Sequence, residues 1–280
     1  MNERAARTSD PDAHGGAQPR MRCPICGSAS ARAFRSRYVE VCGCSNPHCR
    51  HLFATDVSAA HGTMHDAEPD AAAESFEERN QRLIRFWESR RFVHATSRVL
   101  DVGAGNGHIA RSLRARFPRA SLCCIEEGEA RAAQLAARGF EVHRDASALA
   151  AEREFDAILL IEVIEHVACP VSLLERLRRL LAPGGRVFLT TPCGELRTRS
   201  RRTHAYDTAQ HVQFFTERSL RLAVHEAGFR DIHFEYIDAL YPRQEAALSI
   251  AQLRRWMRAV AAPALMRLEG PRHLTGFIDP

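Results

Sequence analysis

Short apolar runs alternate with amphipathic stretches through the middle of the chain. A short apolar run bounded by polar residues predicts a buried strand, and apolar residues three or four apart predict a helix. The predicted strands are Arg98 to Val102, Ser121 to Glu126, Asp156 to Ile161 and Arg186 to Thr190, and the predicted helices are Ile109 to Arg116, Glu129 to Arg138 and Val171 to Leu181. This alternation predicts an α/β fold in which helices cover both faces of a mostly parallel sheet.

Further elements flank this alternation. Thr216 is a natural N-cap with Glu217 in the first turn, so a helix is expected from there to Gly228. A late strand is predicted at His233 to Asp238. Before the first strand, apolar residues at roughly helical spacing predict an amphipathic helix; they are Phe76, Leu83, Ile84, Phe86 and Trp87.

Composition divides the chain into five parts. The predicted parts are a disordered polar leader at 1–20, a Cys-rich module at 21–56, a linker with the amphipathic helix at 57–92, the main α/β domain at 93–240 and a helical tail at 241–280. No apolar run is long enough to cross a membrane, and residues 1–20 lack the apolar core of a signal peptide. A cytoplasmic location is therefore predicted.

Charge gives little indication of a nucleic-acid partner. The formal net charge is +5, and all 39 basic residues are arginine and are spread along the chain. No stripe of alternating aromatic and basic residues follows the Cys-rich module or its linker. The sequence therefore favours a small-molecule partner over nucleic acid.

A glycine-rich turn follows the first predicted strand. Asp101 ends that strand, and Gly103, Gly105 and Gly107 follow it in a GxGxG spacing, whereas dinucleotide folds use GxGxxG. Glycines permit a tight turn and a close approach of a nucleotide to the backbone, and the carboxylate suits a cationic group. Glu126 ends the next strand and is placed to accept hydrogen bonds from a ribose diol; Glu127 is the alternative.

Four segments carry a resemblance to a known class of enzymes: DVGAGNG, IEVIEHV, LLAPGG and HVQFFTERSLRLAVHEAGF. Residues 99–229 resemble class I S-adenosylmethionine-dependent methyltransferases, particularly the group around the ubiquinone-biosynthesis O-methyltransferase. The resemblance implies a Rossmann-like seven-stranded sheet with its last strand antiparallel, and S-adenosyl-L-methionine as cofactor. It places the methionine part beside Asp101 and Gly103, the ribose on Glu126, an adenine contact at Asp145 and a further cofactor contact at Ile161.

The resemblance also locates an acceptor pocket beyond the fourth and fifth strands. The base candidates there are His211, Glu165, His166, Tyr206 and Asp207, of which His211 is preferred. The alternative for His211 is a structural histidine that ties its loop to the sheet. Glu162, Glu165 and His166 also match a pattern that some relatives use to hold a divalent ion, and the alternative is that they orient the segment.

Five of the nine cysteines lie between Cys23 and Cys49. Two turns, CPICG and CGCSNPHC, predict a zinc-ribbon-like module whose ligands are Cys23, Cys26, Cys44 and Cys49. Cys42, His48 and His51 are substitutes. A structural zinc ion is favoured because so short a module buries too little core to fold unaided. Some bacterial sugar C-methyltransferases carry a similar segment, which keeps a nucleotide-sugar acceptor among the candidates.

The tail combines apolar residues with arginines from Leu248 to Leu268, interrupted at Pro263. A basic amphipathic helix of this kind can contact a membrane surface or a partner, or pack on its own domain. The function favoured by the sequence is methyl transfer to a small molecule at oxygen, nitrogen or carbon. The alternatives are a zinc-ribbon module that binds RNA or protein beside a vestigial methyltransferase domain, and methylation of a macromolecule.

Overall fold

The computed structural model describes residues 21–56, 73–149, 154–195, 204–206, 208–235 and 273–280. Seven strands form the main sheet, in the order β10-β11-β8-β7-β4-β5-β6. Their bounds are β4 Arg98–Val102, β5 Ser121–Ile125, β6 Glu141–His143, β7 Phe155–Ile161, β8 Leu181–Pro192, β10 Asp231–Phe234 and β11 His273–Asp279. The four adjacent strands β7, β4, β5 and β6 are parallel to one another. The predicted fold class is confirmed.

Helices cover both faces of this sheet, as predicted. Their bounds are α1 Ala73–Ser89, α2 His108–Arg116, α3 Glu129–Ala137, α4 Pro170–Arg179 and α5 Glu217–Glu226. Helices α1 and α2 pack with one set of alternating strand residues, such as Ala157 and Leu159 of β7. Helices α4 and α5 pack with the other set, such as Ile158 and Leu160. Every second residue of a strand faces the same side, so β7 is buried on both faces.

The final strand requires a correction to the predicted division of the chain. Strand β11 comes from the part predicted as a helical tail at 241–280, yet it pairs antiparallel with both β8 and β10. Its residues Leu274 to Phe277 are buried on both faces, so the sequence lacks the alternation that reveals a half-buried strand. The last strand is therefore antiparallel, as the resemblance implied, but the main domain continues beyond residue 240.

A second, smaller sheet contains the Cys-rich module. Strands β1 Ser30–Arg35, β2 Glu40–Cys44 and β3 Leu52–Ala54 form an antiparallel sheet, and β9 Gln213–Phe214 adds the fourth strand. Strand β9 comes from the loop between β8 and α5. The module's cysteines share a hydrophobic core with α4, α5 and the main sheet. The module therefore packs directly on the face of the main sheet that α4 and α5 cover.

Four predictions lie wholly or mostly outside the described residues: the leader at 1–20, the linker that begins at residue 57, the tail helix from Leu248 to Leu268, and Asp207 as a base candidate. Within the described ranges, no helix has the length and apolar character needed to span a membrane.

Candidate cofactor and acceptor site

The glycine loop connects β4 to α2 at the carboxyl ends of the parallel strands. Gly103, Gly105 and Gly107 all have positive φ, a conformation that glycine adopts without steric cost. A Cβ on Gly103 would lie 2.6 Å from a methyl group of Val163, so glycine is also required there by packing. A Cβ on Gly105, in contrast, would have no described atom within 4 Å. The loop therefore leaves open space beside its backbone, which a ligand can occupy.

Glu126 holds this loop from the end of β5. One of its carboxylate oxygens accepts a hydrogen bond from the Gly105 N–H at 2.8 Å, and the other accepts from the Gly128 N–H at 2.9 Å. Its side chain is buried, whereas Glu127 is exposed. Of the two candidates for the ribose, Glu126 is thus the one beside the glycine loop.

Asp101 lies at the same edge, within β4. Its Oδ2 atom is buried and has no hydrogen-bond partner among the described residues. Burial and the nearby charge of Glu126 raise the pKa of Asp101 to about 7. A buried, unpartnered carboxylate oxygen is stabilised by a cation. The site therefore fits the α-ammonium group of S-adenosylmethionine, which supplies a positively charged partner.

The two weaker cofactor candidates lie at the same edge in different surroundings. Asp145 follows β6, caps the turn Ala146–Ala148 through the Ser147 N–H and lies 3.5 Å from Arg176. Its side chain is largely exposed. Ile161 ends β7 and is half-buried. Val163, which contacts the glycine loop, was not identified from the sequence because one apolar residue near the end of a strand has no distinctive pattern.

A polar cluster lies beyond β7 and β8, where the acceptor pocket was predicted. Glu162 has a φ of 54°, which is unusual for a residue other than glycine and marks local strain. Its carboxylate accepts a hydrogen bond from the Thr190 hydroxyl at 2.7 Å and lies 3.5 Å from Nε2 of His273. Thr190 and His273 were not predicted as site residues. His273 carries no local signal, because strand β11 brings it there from a distant part of the sequence.

Glu165, His166 and His211 lie together in this cluster. A carboxylate oxygen of Glu165 and one ring nitrogen of each histidine lie within 4.8 Å of one another. Glu165 is buried and accepts from the Thr191 hydroxyl at 2.9 Å, while its other oxygen has no hydrogen-bond partner among the described residues and lies 4.0 Å from Nε2 of His166. Burial and the charge of Glu162 hold the pKa of Glu165 well above its usual range. A protonated carboxyl or a nearby cation would relieve this buried charge.

The two histidines have the same hydrogen-bonding arrangement. Nδ1 of His166 bonds to the Gln210 carbonyl at 3.0 Å, and Nδ1 of His211 bonds to the Ala205 carbonyl at 2.9 Å. Each Nδ1 therefore carries the proton, and each Nε2 carries a lone pair. Burial lowers the pKa of both, that of His211 to about 4, so both are neutral near pH 7. Such a nitrogen can accept a proton or bind a metal ion.

Tyr206, the remaining base candidate, is engaged elsewhere. Its hydroxyl donates to the Gly194 carbonyl at 2.7 Å, and its ring stacks on Phe214. Burial raises the pKa of Tyr206 well above its usual range, which makes its phenolate inaccessible near neutral pH. Its position indicates a structural role in the loop that carries His211.

The four predicted zinc ligands are brought together in the Cys-rich module. Cys23 and Cys49 have sulfur atoms 3.7 Å apart, and Cys26 and Cys44 have sulfur atoms 3.5 Å apart. Four thiolates around a zinc ion at about 2.3 Å would be about 3.8 Å apart, close to these distances. Cys42, named as a substitute, is buried in β2 outside this cluster. The donor set and its geometry therefore fit a tetrahedral zinc ion.

The fold and the glycine loop together define a class of protein. A seven-stranded sheet with an antiparallel last strand, and a loop whose carboxylates and open backbone suit a sulfonium nucleoside, are the features of class I S-adenosylmethionine-dependent methyltransferases.

Comparison with known proteins agrees with this class. Residues 48–234 match the family described as "Methyltransferase domain". A ubiquinone biosynthesis O-methyltransferase from Pseudomonas aeruginosa (strain LESB58) is 34% identical over 114 residues, which are 38% of this chain and 48% of that protein. The corresponding enzyme from Pseudomonas putida (strain W619) is 38% identical over 114 residues, which are again 38% of this chain and 48% of that protein. The chain spans about half the length of these curated relatives.

Two solved structures share the fold. A SAM-dependent methyltransferase from Archaeoglobus fulgidus has a TM-score of 0.53 at 17% identity, covering 75% of this chain and 97% of that one. Phosphoethanolamine N-methyltransferase 2 from Haemonchus contortus, in complex with S-adenosyl-L-methionine, has a TM-score of 0.53 at 19% identity, covering 81% and 60%. The chain belongs to the methyltransferase-domain family, within the class I S-adenosylmethionine-dependent methyltransferases.

The pKa of Asp101 predicts how cofactor affinity depends on pH. Above about pH 7 the carboxylate is already ionised, so affinity for S-adenosylhomocysteine should be constant. Below that pH a proton must leave before the ligand's ammonium binds, so affinity should fall by up to about tenfold per pH unit. Calorimetry at about pH 6 and about pH 8 would measure the two affinities. Binding should release a proton only at the lower pH. Asp101→Asn should bind weakly with little pH dependence, and a pH-independent affinity in the unaltered chain would contradict the prediction.

Proposed function

We propose that this protein transfers a methyl group from S-adenosylmethionine to an oxygen of a small-molecule acceptor. The observation that carries the proposal is the position of His166 and His211, two neutral histidines with Nε2 lone pairs, in the polar cluster beyond β7 and β8. The O-methyltransferase relatives support an oxygen acceptor, and N- and C-methylation remain the alternatives to be tested.

In the proposed mechanism the chain supplies position and a base. The methyl donor carries an activated sulfonium, so no nucleophilic side chain is needed. Asp101 and Glu126 hold the donor beside the glycine loop. His211 accepts the proton of the acceptor hydroxyl at Nε2, while its bond to the Ala205 carbonyl fixes the ring. Glu165 and His166 orient the acceptor from the other side of the cluster.

A metal-assisted variant is a second candidate. Glu165, His166 and His211 offer one carboxylate oxygen and two imidazole nitrogens, and the unpartnered oxygen of Glu165 favours a nearby cation. A divalent ion there would lower the pKa of a bound hydroxyl, as in metal-dependent catechol chemistry. Activity that is lost with EDTA and restored by Mg²⁺ would favour this variant over direct base catalysis by His211.

We also propose that Cys23, Cys26, Cys44 and Cys49 hold a structural zinc ion. The matched sulfur distances support this assignment. The cysteines share a hydrophobic core with α4, α5 and the main sheet, which favours support of the methyltransferase domain over nucleic-acid binding. A purified protein that binds RNA but not S-adenosylhomocysteine would instead support the alternative of a vestigial methyltransferase domain.

Replacing His211 tests the proposed base. Asn is a suitable substitute because its amide can still donate to the Ala205 carbonyl while lacking the imidazole base. We expect His211→Asn to lower kcat by about a hundredfold or more, with affinity for S-adenosylhomocysteine within about twofold of the unaltered chain. The measurement is methyl transfer to catechols, phenols and sugar nucleotides, followed by calorimetry. Asn in place of the exposed His225 is the matched control, and an equal loss in both variants would contradict the base role.

A further inference from the structure

The Cys-rich module is joined to the acceptor loop by main-chain hydrogen bonds. Strand β3 pairs with β9, with Leu52 opposite Phe214 and Phe53 opposite Gln213. The Ala54 N–H donates to the Val212 carbonyl at 2.9 Å, and the Val212 N–H donates to the Glu165 carbonyl at 2.8 Å. Residues 212–214 are therefore fixed between the module and the segment that carries Glu165. His211 is the residue directly before them.

A series of side-chain hydrogen bonds runs alongside this backbone connection. His51 follows Cys49 by two residues and is completely buried. Its Nε2 atom bonds to Oε1 of Gln213 at 2.9 Å, and its Nδ1 atom bonds to the Ser219 hydroxyl at 3.3 Å. Because the amide oxygen can only accept, Nε2 of His51 is the donor. The ring thus joins the cysteine cluster to β9 and to the first turn of α5.

Gln213 extends this series of hydrogen bonds to the segment that follows Glu165 and His166. Its amide nitrogen donates to the carbonyls of Val167 and Ala168, at 2.9 Å and 3.2 Å. These residues come directly after Glu165 and His166. Gln213 is only 3% exposed, and its amide satisfies three polar groups at once, the buried ring of His51 and the carbonyls of the half-buried Val167 and Ala168. Removing it would leave those groups without partners, which is costly in a buried setting.

The cofactor side of the site is held by different hydrogen bonds, and it meets the acceptor segment where Val163 packs against Gly103. Gly103 and Ala104 donate to the Ile125 carbonyl at the end of β5, and Gly105 donates to Glu126. Arg111 of α2 and Arg138, the residue directly after α3, add two bonds, because both side chains donate to the Asn106 carbonyl. The glycine loop is thus anchored by hydrogen bonds to β5, α2 and the end of α3, whereas β9 belongs to the other, four-stranded sheet.

We propose that His51 and Gln213 are positioning residues that make the geometry of the acceptor half of the site depend on metal loading of the cysteine cluster, while the cofactor half is independent of it. The inference rests on the proposed function, since it assigns an ion to the cluster and a role in catalysis to His211 and Glu165. A loaded cluster fixes the turn from Cys49 to His51; His51 fixes Gln213; and Gln213 with β9 fixes residues 165–168 and 211.

Three variants of the full chain separate this coupling from metal binding itself. His51→Leu and Gln213→Leu break the side-chain connection but keep all four cysteines. His51→Gln is the conservative variant, because its amide nitrogen can still donate to Gln213. Gln81→Leu, at an exposed position of α1, is the matched control for loss of a glutamine amide.

Hydrogen exchange, zinc analysis and calorimetry with S-adenosylhomocysteine form the test. In His51→Leu and Gln213→Leu we expect unchanged zinc content and ligand affinity within about twofold, but exchange about tenfold to a hundredfold faster in residues 164–168 and 211–215. Residues 101–107 should exchange as before. His51→Gln and Gln81→Leu should match the unaltered chain. Chelation of zinc from the unaltered chain should reproduce the same regional loss, which keeps the test valid if a variant fails to fold.

Two results would overturn the inference. One is unchanged protection of residues 164–168 and 211–215 in both leucine variants. The other is an equal loss of protection in both halves, on mutation or on chelation, since that shows only a general effect on stability. The proposed function is checked on the same samples. An unaltered chain that binds zinc but not S-adenosylhomocysteine would contradict only the proposed methyl transfer. An unaltered chain that contains no zinc would overturn both the zinc assignment and the coupling.

Discussion

Glu126→Ala is expected to weaken binding of S-adenosylhomocysteine by about a hundredfold or more. The carboxylate accepts hydrogen bonds from the N–H groups of half-buried Gly105 and buried Gly128, so its loss leaves both donors without this partner and releases the glycine loop. Each such charge-assisted bond is worth about 1.5–3 kcal/mol, and about 2.7 kcal/mol corresponds to a hundredfold in affinity. The expected loss of ribose contacts adds to this effect. Calorimetry on the purified chain is the measurement.

Glu127→Ala is the matched control, because it removes the same side chain one residue further on. Glu127 is exposed, so its replacement should change affinity by less than about twofold. Circular dichroism and thermal melts should show that both variants are folded. Comparable affinities in the two variants would mean that Glu126 has no special role in holding the cofactor.

Cys49→Ser is expected to abolish stoichiometric zinc binding and to lower the melting temperature by about 10 °C. Cys49 is completely buried, and its sulfur atom lies 3.7 Å from that of Cys23. A serine hydroxyl is a poor substitute for a thiolate on zinc, and metal binding contributes directly to the folding of small modules. The module shares its core with α4 and α5, so several kcal/mol of stability, equivalent to about 10 °C, should be lost.

Cys42→Ala provides the control for this variant. Cys42 is buried in β2 but outside the group of four sulfur atoms, so zinc content should remain at one per chain and the melting temperature should fall by only about 3 °C. Elemental analysis and differential scanning calorimetry measure both quantities. Full zinc content in Cys49→Ser, or loss of zinc in Cys42→Ala, would show that the ligand set is different.

The sequence predicted the cofactor half of the candidate site more fully than the acceptor half. Asp101 lies near the end of β4, Gly105 in the glycine turn that follows it, and Glu126 directly after β5, so strand pattern, glycine spacing and the resemblance together indicate them. The fold class was predicted for the same reason. The short strand β6 was not predicted, because its three residues give no resolvable pattern.

The acceptor half combines residues that are distant in sequence. Thr190 and Thr191 are hydroxyl residues at the end of an apolar strand, a signal that could have been used. His273 and the connection from His51 to Gln213 depend on strand pairings that one sequence does not reveal. The module was predicted as a separate unit joined by a linker, whereas β9 inserts a piece of the acceptor loop into its sheet, a pairing that hydrophobic patterning cannot identify.

The position of β11 has a consequence for how the protein is made on the ribosome. This strand lies between β8 and β10, yet it is the last described segment to be synthesised. Until it emerges, β8 and β10 have unpaired edges facing a gap lined by apolar side chains such as Phe188 and Ile232. Open strand edges of this kind recruit other chains. The nascent chain is therefore exposed to aggregation until β11 has been synthesised, and shielding by chaperones would matter most in that interval.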